Sequence, residues 1–465
     1  METNYTKIGL LDEENYSPER LSLLIEEKKF VELRALAEAL PPPDLAELFS
    51  LVDEKYCTLL YRILPKELAA ETFAWFEPEV QLRLIQSFTD KELSFMLDEL
   101  YIDDTVELIE EMPAMVVKRI LNHSSAEDRE VINRILNYPK DSVGSLMTTE
   151  YVRFSRNMTV EKALSHIRKV AIDKETIYTC YVTDNNKRLL GIVTAKRLLL
   201  ADPETVLEDI MDENVIYLHT RDDREEAAMV FDKYGFIAMP VVDSEDRLVG
   251  IVTIDDAIDV IKEESEEDFA KMAAITPTET PYLKTDVFSI WKSRIPWLLI
   301  LMISSTLSSM ILTGFESALP AVLVLFIPMI MGTGGNSGGQ SSVTVTRSIS
   351  LSEVDFSDLF RVFWKEVRVG TLCALSLGVA TFAKVMLIDG LLLGNEAITL
   401  TVALTVALSL SVTIILAKII GATLPLLAEK IGLDPAVMAS PLITTLVDAI
   451  SLIVYFFVAK SMLNI

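Results

Sequence analysis

The residue whose position most clearly implies chemistry is Asp448, near the middle of Val437 to Ala459, an otherwise apolar and small-polar run that ends at Lys460. A carboxylate at mid-bilayer depth costs about 2.5–3.5 kcal/mol on insertion scales, so by default it faces protein or water and marks a functional position. On a helix, Ser440, Thr444, Thr445, Asp448, Ser451 and Tyr455 recur at spacings of three or four and form one polar stripe. Such a stripe can line a cation path. It can equally hold a carboxylate satisfied by a neighbouring helix, with no part in transport.

A second polar interruption lies upstream. Gly332-Thr333-Gly334-Gly335-Asn336-Ser337-Gly338-Gly339-Gln340 follows Pro328 and carries five glycines in eight residues. At membrane depth such a stretch either lets helices approach closely or breaks the helix so that carbonyls face a water-lined cavity. Close packing alone does not call for Asn336 and Gln340. Gly334, Gly335, Asn336, Gly338 and Gln340, with Ser440 and Thr444, are therefore the candidate pore-lining residues.

Cysteine and histidine chemistry is poorly provided for. Cys57, Cys180 and Cys373 are far apart and form no CxxC, and His123, His166 and His219 have no metal-ligand spacing or nucleophile beside them. These features argue against a zinc site, a disulfide framework and an enzyme. Met1 to Asn15 is polar and acidic, so no signal peptide is expected and the first membrane span would act as the insertion signal.

The elements that must hold these residues divide into an acidic half and an apolar half. Of 69 acidic and 42 basic side chains, residues 285–465 hold 11 and 10, leaving 58 and 32 for the first 284, a net charge of −26. Such a surface repels nucleic acid and attracts cations, divalent ones most strongly. Between about Ser22 and Tyr138, helix starts are expected near Pro65, Pro78, Thr89, Ile102 and Pro113, at separations of 13, 11, 13 and 11 residues. A helix about every 12 residues reads as a small all-α solenoid. Its acids at helix starts suit the helix dipole and need no further role.

From Asp141 to about Lys262 the chain repeats itself. Leu146-Met147, Tyr181-Val182-Thr183-Asp184 and Leu190-Gly191-Ile192-Val193-Thr194 are matched by Ile210-Met211, Val241-Val242-Asp243 and Val249-Gly250-Ile251-Val252-Thr253. Both copies alternate short β-branched strands with amphipathic helices, and they resemble a tandem pair of CBS domains. The second copy continues Gly250-Ile251-Val252-Thr253-Ile254-Asp255-Asp256, which looks like that family's nucleotide signature. The resemblance gives Thr253 to phosphate and Asp256 to ribose hydroxyls, making ATP or another adenine nucleotide a candidate ligand. The first copy has Arg197 where that carboxylate would be.

The acidic run Glu263-Glu264-Ser265-Glu266-Glu267-Asp268 extends the last helix of the repeat until Pro277 and Pro281 break it. Carboxylates this dense on a helix repel one another by a few tenths of a kcal/mol for each i,i+4 pair. Five membrane-length stretches follow, at about Trp297–Leu312, Leu319–Val345, Val369–Ile388, Ile398–Leu427 and Pro435–Ala459. Lys292 and Arg294 precede the first, and Arg347, Arg361, Lys365 and Arg368 separate the second from the third. Gly314–Ala318 and Asp389–Glu396 carry only acids. Positive-inside logic puts the N-terminal half in the cytoplasm and the C-terminus outside a multi-pass cell (inner) membrane protein.

These motifs, in this order, resemble the MgtE family of magnesium channels and transporters across almost the whole chain. The resemblance implies a multidomain fold with an all-α superhelical N-domain at 1–138 and an α/β tandem CBS pair at 139–262. An acidic connecting helix and linker follow at 263–290, then an all-α five-helix transmembrane domain at 291–465. It also implies a homodimer set in membrane lipid, with a pore between protomers and Asp448 recognising hydrated Mg2+. That ion dehydrates reluctantly and suits carboxylates and carbonyls acting through its water shell. The family's regulatory Mg2+ ligands would fall on Glu71, Asp103 and Glu107, on Asp223, Glu225, Asp256 and Asp259, and on Glu264, Glu267 and Asp268. Two departures are Gly235, where an acid is expected, and Ser440, where some members have asparagine.

The leading expectation is a passive Mg2+ pathway, importing the ion down its gradient and closed by cytosolic Mg2+. A carrier coupling a divalent ion to Na+ or H+ through the same carboxylate is the alternative. The last span offers no second acid for a proton relay. A CBS-regulated membrane enzyme is the remote third reading.

Overall fold

The computed structural model describes residues 18–171, 174–278, 282–283, 285–315, 319–438 and 440–463. They form two compact units, one reaching Ile261 and one from Lys262 onward.

The first unit begins with a helical array: α1 (Pro18–Glu26), α2 (Phe30–Ala37), α3 (Pro42–Leu51), α4 (Glu54–Ile63), α5 (Lys66–Ala74), α6 (Pro78–Ser87), α7 (Asp90–Glu99), α8 (Ile102–Glu111), α9 (Ala114–His123) and α10 (Ala126–Ile135). The five expected starts lie on the first residues or caps of α5 to α9. Proline sets several of them because its fixed φ suits the first turn and it has no N–H to leave unpaired. Thr89 and Glu92 form a reciprocal capping box on α7, an arrangement whose cap is worth about 1 kcal/mol.

The repeat follows as α11 (Val143–Leu146), β1 (Tyr151–Ser155), α12 (Val160–Val170), β2 (Thr176–Thr183), β3 (Leu189–Thr194) and α13 (Ala195–Leu200). The second copy is α14 (Leu207–Ile210), β4 (Leu218–His219), α15 (Arg224–Tyr234), β5 (Ala238–Val242), β6 (Leu248–Thr253) and α16 (Ile254–Met272). Each copy makes a three-stranded sheet, β1-β2-β3 or β4-β5-β6, with its first pair parallel and its second antiparallel. The copies interlock through Thr148 and Ile251, whose backbones exchange hydrogen bonds of 2.9 Å. Tyr181, Ala238, Leu248 and Ile251 fill a small core between them. A larger apolar cluster runs without a break from Leu21 through Leu108 and Ile120 to Phe231, Val252 and Val260. The helical array and the second copy therefore share one core. Gly235 ends α15 at φ +65°, a left-handed C-cap; that conformation gives the glycine a physical reason where an acid is expected.

Among the described residues, the second unit holds five helices long and apolar enough to cross a membrane. The first is α17 (Val287–Ser304) with α18 (Thr306–Phe315), and the second is α19 (Ala321–Val324) with α20 (Ile327–Ser350). The third is α21 (Leu359–Lys384), prolonged by a π-helical segment, Val385–Leu392. The last two are α22 (Leu400–Lys430) and α23 (Ser440–Leu463). The first span is longer than the apolar stretch suggests, because Asp286 caps α17 by accepting from Phe288 and Ser289 N–H groups. Residues 316–318, which carry Glu316 of the acidic turn, lie outside the described residues.

α22 is the central post. Ala403, Val406, Leu410, Ile414 and Ala417 are buried along it, packed against α20, α21 and α23. α20 is helical throughout its glycine run, so the alternative of a broken helix does not hold. Gly334, Gly335 and Gly338 are buried, whereas Asn336 and Gln340 are exposed. The glycines bring the helices together. A Cβ on Gly334 would lie 2.7 Å from Thr413 Cγ2, and one on Gly421 of α22 would fall on the Gly338 carbonyl.

Candidate functional site

Asp448 lies on α23, half-buried, and its Oδ1 is shielded from solvent with no hydrogen-bond partner among the described residues. Gly335 faces it: a Cβ there would come 3.7 Å from that oxygen and 2.8 Å from Thr444 Cγ2. A carboxylate oxygen left bare in a polar-flanked slot suits a cation or its hydration shell, since an unpaired buried acceptor is otherwise costly. The rest of the polar stripe divides. Ser451 donates to Val447 O at 2.6 Å, and Tyr455 to Leu323 O at 2.7 Å. Both are buried and satisfied by backbone. Thr445 donates to Pro441 O. Ser440 opens α23, and its side chain lies outside the described part of the structure.

The first unit gathers acids around the N-terminal turn of α8. Glu150 accepts from the Ile102 N–H at 3.1 Å, closing α8 from across the chain. The Thr253 hydroxyl donates to Asp256 Oδ2 at 2.7 Å in the first turn of α16. Burial raises the Asp256 carboxyl to about 7, against the Thr253 hydrogen bond and with Asp255 and Glu107 adding like charge. Asp104 is held at about 7 by burial, then by Glu107, Asp256, Asp255 and Glu150. Burial and then Asp256 push Asp103 well above the ordinary range. Glu175 is raised to about 8 by burial and then by Asp255, Asp104 and Asp256, and its Oε2 is buried without a partner. Beside Asp104, Glu107 and Glu111 lies a cavity of about 60 Å³, ample for water.

Of the residues suggested by sequence, Asp103, Glu107 and Asp256 therefore belong to one electrostatic cluster. Glu71 is exposed on α5, and Asp259 is exposed on α16. Asp223 serves as the N-cap of α15, accepting from the N–H groups of Glu225 and Glu226. Asp104, Glu150, Glu175 and Asp255 were not anticipated. The charge cluster is not a finished coordination shell: among the described residues no three Asp, Glu, His or Cys side chains are arranged as metal ligands.

In the second unit the acidic helix is occupied by its own partners. Lys271 pairs with Glu267 and with Asp434. Ser350 donates to Asp268 at 2.7 Å. Burial raises the Asp268 carboxyl, against that hydrogen bond and with Asp434 adding like charge. Glu264 lies half-buried on the same helix, α16.

Residues 327–458 match the MgtE family of divalent cation transporters, 19–141 the MgtE intracellular N domain, and 143–204 and 207–263 each a CBS domain. The chain is 37% identical over 440 residues to the magnesium transporter MgtE of Thermus thermophilus, aligning 93% of this chain with 95% of that one. This chain belongs to the MgtE family. It is also 31% identical to the MgtE of Bacillus subtilis, over 96% of this chain and 97% of that one. A solved structure of the soluble part of a magnesium transporter superposes with a TM-score of 0.51 at 32% identity, covering 54% of this chain and 99% of that one. The cytosolic domain of the Mg2+ channel MgtE in complex with ATP gives 0.49 at 36% identity, covering 52% and 98%. This chain, with its five membrane-length helices, is thus a member of a magnesium-transport family and not an enzyme. Its match to an inosine-5'-monophosphate dehydrogenase of Nitrosopumilus maritimus extends over only 28% of the chain.

Proposed function

We propose that this protein conducts Mg2+ into the cell down its electrochemical gradient, through a path between two protomers centred on Asp448, and that cytosolic Mg2+ closes it. The observation that carries the reading is the unpartnered Oδ1 of Asp448 on an apolar helix, with the backbone of Gly335 closely opposite it. A hydrated divalent ion is the ligand such a group takes. Closure follows from the acid cluster at α8 and α16. Carboxylates that repel when ion-free would be neutralised by a divalent ion, which shifts the population towards the compact form by its differential affinity. Asp103, Glu107, Asp256, Glu264, Glu267 and Asp268 remain the residues assigned to that role. Glu71, Asp223, Glu225 and Asp259 contribute as outlying charges. The basic residues flanking the spans set the soluble domains inside and the C-terminus outside. In the second CBS copy, Thr253 and Asp256 would contact the phosphate and ribose of an adenine nucleotide.

The test is Mg2+ uptake by proteoliposomes with no Na+ or H+ gradient. Uptake driven by the Mg2+ gradient alone is expected, and Asp448→Ala should abolish it, with Asp448→Asn retaining only a small fraction. A strict need for a counter-ion gradient would instead establish a coupled carrier. Near-normal uptake by a folded Asp448→Ala dimer would overturn the pore assignment.

A further inference from the structure

The basic residues that open α21 do little for their own helix. Arg361 stands in its first turn, where the helix dipole disfavours a cation, and one exposed contact offsets this, to Asp358 at 2.8 Å. Lys365 forms no ion pair among the described residues. Arg368 donates its Nε–H to the Trp364 carbonyl at 3.3 Å and pairs with no carboxylate among the described residues. All three are exposed, and at about 100° per residue they fall within about 60° of one another around the helix. The packed face of α21 is the opposite one: Leu359 and Val362 meet the cluster of Val345, Ala422 and Leu426, and Gly370 and Ala374 are buried. The outward line continues from the basic row through Leu372, Leu375 and Val379, each more than half exposed, with Trp364 exposed beside the cations. From Arg361 to Arg368 the row runs about 10 Å, and from there to Val379 about 16 Å. The second length is that of one leaflet of a hydrocarbon core about 30 Å thick.

Three cations, an indole and one leaflet of apolar surface along a single line have the order of a phospholipid with an anionic headgroup. Indole rings prefer headgroup depth, and clustered Lys and Arg beside a membrane helix attract anionic lipid. Setting the orientation of the chain asks only for a count of basic residues near the span. It does not ask that they align, and Lys292 and Arg294, two residues apart in α17, stand about 200° apart around it. A second copy of the chain is a poor occupant, because a two-fold contact would set the cation row against itself. We propose that this face of α21 binds an anionic phospholipid, its phosphate held between Lys365 and Arg368 and one acyl chain lying along Leu372, Leu375 and Val379. The lipid neutralises the row and stabilises the membrane unit, whether or not an ion is passing through it.

The test uses the full-length protein in nanodiscs of phosphatidylcholine, with and without phosphatidylglycerol. Retained lipid is counted by native mass spectrometry, and thermal unfolding is followed in the same discs. Phosphatidylglycerol should bind the wild-type protein and raise its unfolding temperature. Lys365→Gln with Arg368→Gln should weaken its binding about 30-fold, from about 1 kcal/mol for each basic residue near the surface, and lose the added stability, while unfolding as wild type does in phosphatidylcholine alone. Lys365→Arg with Arg368→Lys, which keeps the charges, should retain both. Lys292→Gln with Arg294→Gln removes the same charge from α17 and should leave most of the binding in place. Should the double variant of α21 fail to insert, Lys365→Gln alone should lose about fivefold on the same scale. Equal retention of phosphatidylglycerol by the wild type and the α21 variant would overturn the site. An equal loss from the α17 variant would reduce it to general surface charge. Destabilisation of the α21 variant in phosphatidylcholine alone would give the row to a protein contact, with the acidic half of the chain or a second copy. Displacement of the lipid by soluble glycerol phosphate would overturn the part given to Leu372, Leu375 and Val379.

Discussion

The Lys271 ammonium stands 2.6 Å from the Asp434 carboxylate, tying the acidic helix to the segment that precedes α23. The same ammonium lies 2.6 Å from Glu267. Burial works to lower its pKa, but the hydrogen bonds of Asp434 and Glu267 outweigh that and raise it, so the lysine stays charged across the physiological range. It fills the place between two carboxylates that a divalent ion would take. Lys271→Gln should therefore leave Glu267 and Asp434 facing each other and raise the apparent Mg2+ affinity for closure several-fold. Flux measured as internal Mg2+ is titrated checks this; an unchanged or higher closing concentration counts against it.

The acid cluster gives a pH dependence with a definite sign. Asp104 and Asp256 at about 7 and Glu175 at about 8 bind protons more readily folded than unfolded, where carboxylates titrate near 4. Stability of the first unit in the absence of divalent ions should thus be highest in acid, fall as pH rises from about 4 to about 8, and level off above. On the proposed regulation Mg2+ would compete for the same oxygens, so its apparent affinity should rise over that window and its presence should flatten the slope. Hydrogen exchange of the Ile102 to Glu107 amides in chelator and in Mg2+, from pH 5 to 8.5, reads both effects.

Glu150 separates charge from hydrogen bonding. Glu150→Gln keeps an acceptor for the Ile102 N–H while removing one negative charge, and should stabilise the ion-free protein. Glu150→Ala loses the acceptor as well, and the uncapped N–H costs about 1 kcal/mol, offsetting the gain. Thermal unfolding in chelator should rank glutamine above wild type, with alanine below glutamine.

The crossing of α20 and α22 tolerates no side chain at Gly421, where a Cβ meets backbone that cannot turn aside. Gly421→Ala should cost about 1–3 kcal/mol or more and lower the detergent unfolding temperature. Gly235→Asp, at an open position with a positive φ, should cost less than that.

Local signals made the skeleton readable and left its long-range chemistry hidden. Pro65, Pro78 and Pro113 punctuate helices by their own covalent geometry, and the doubled strand pattern ending at Thr194 and Thr253 needs no tertiary information. Asp448 stood out because nothing around it is charged. Glu150 did not, since its importance comes from Ile102, 48 residues away. Ser341 and Glu366, 25 residues apart, meet only once α20 and α21 have both packed against α22. The glycine run was ambiguous for another reason: close approach and a broken helix call for the same residues, and only the partner surface of Gly421 and Ser451 decides between them.

Where Gly338 and Gly421 meet, α20 and α22 touch main chain to main chain. No rotamers lie between them to be exchanged, so the pair behaves as one stiff spar and cannot slide without separating. Movement that widens a path beside Asp448 must then be carried by α23 against that spar. Its C-terminal half is moored by the Tyr455 hydroxyl to the Leu323 carbonyl and the segment before it by Ser342 to Met438 and Lys271 to Asp434, so any such movement has to break one of these moorings.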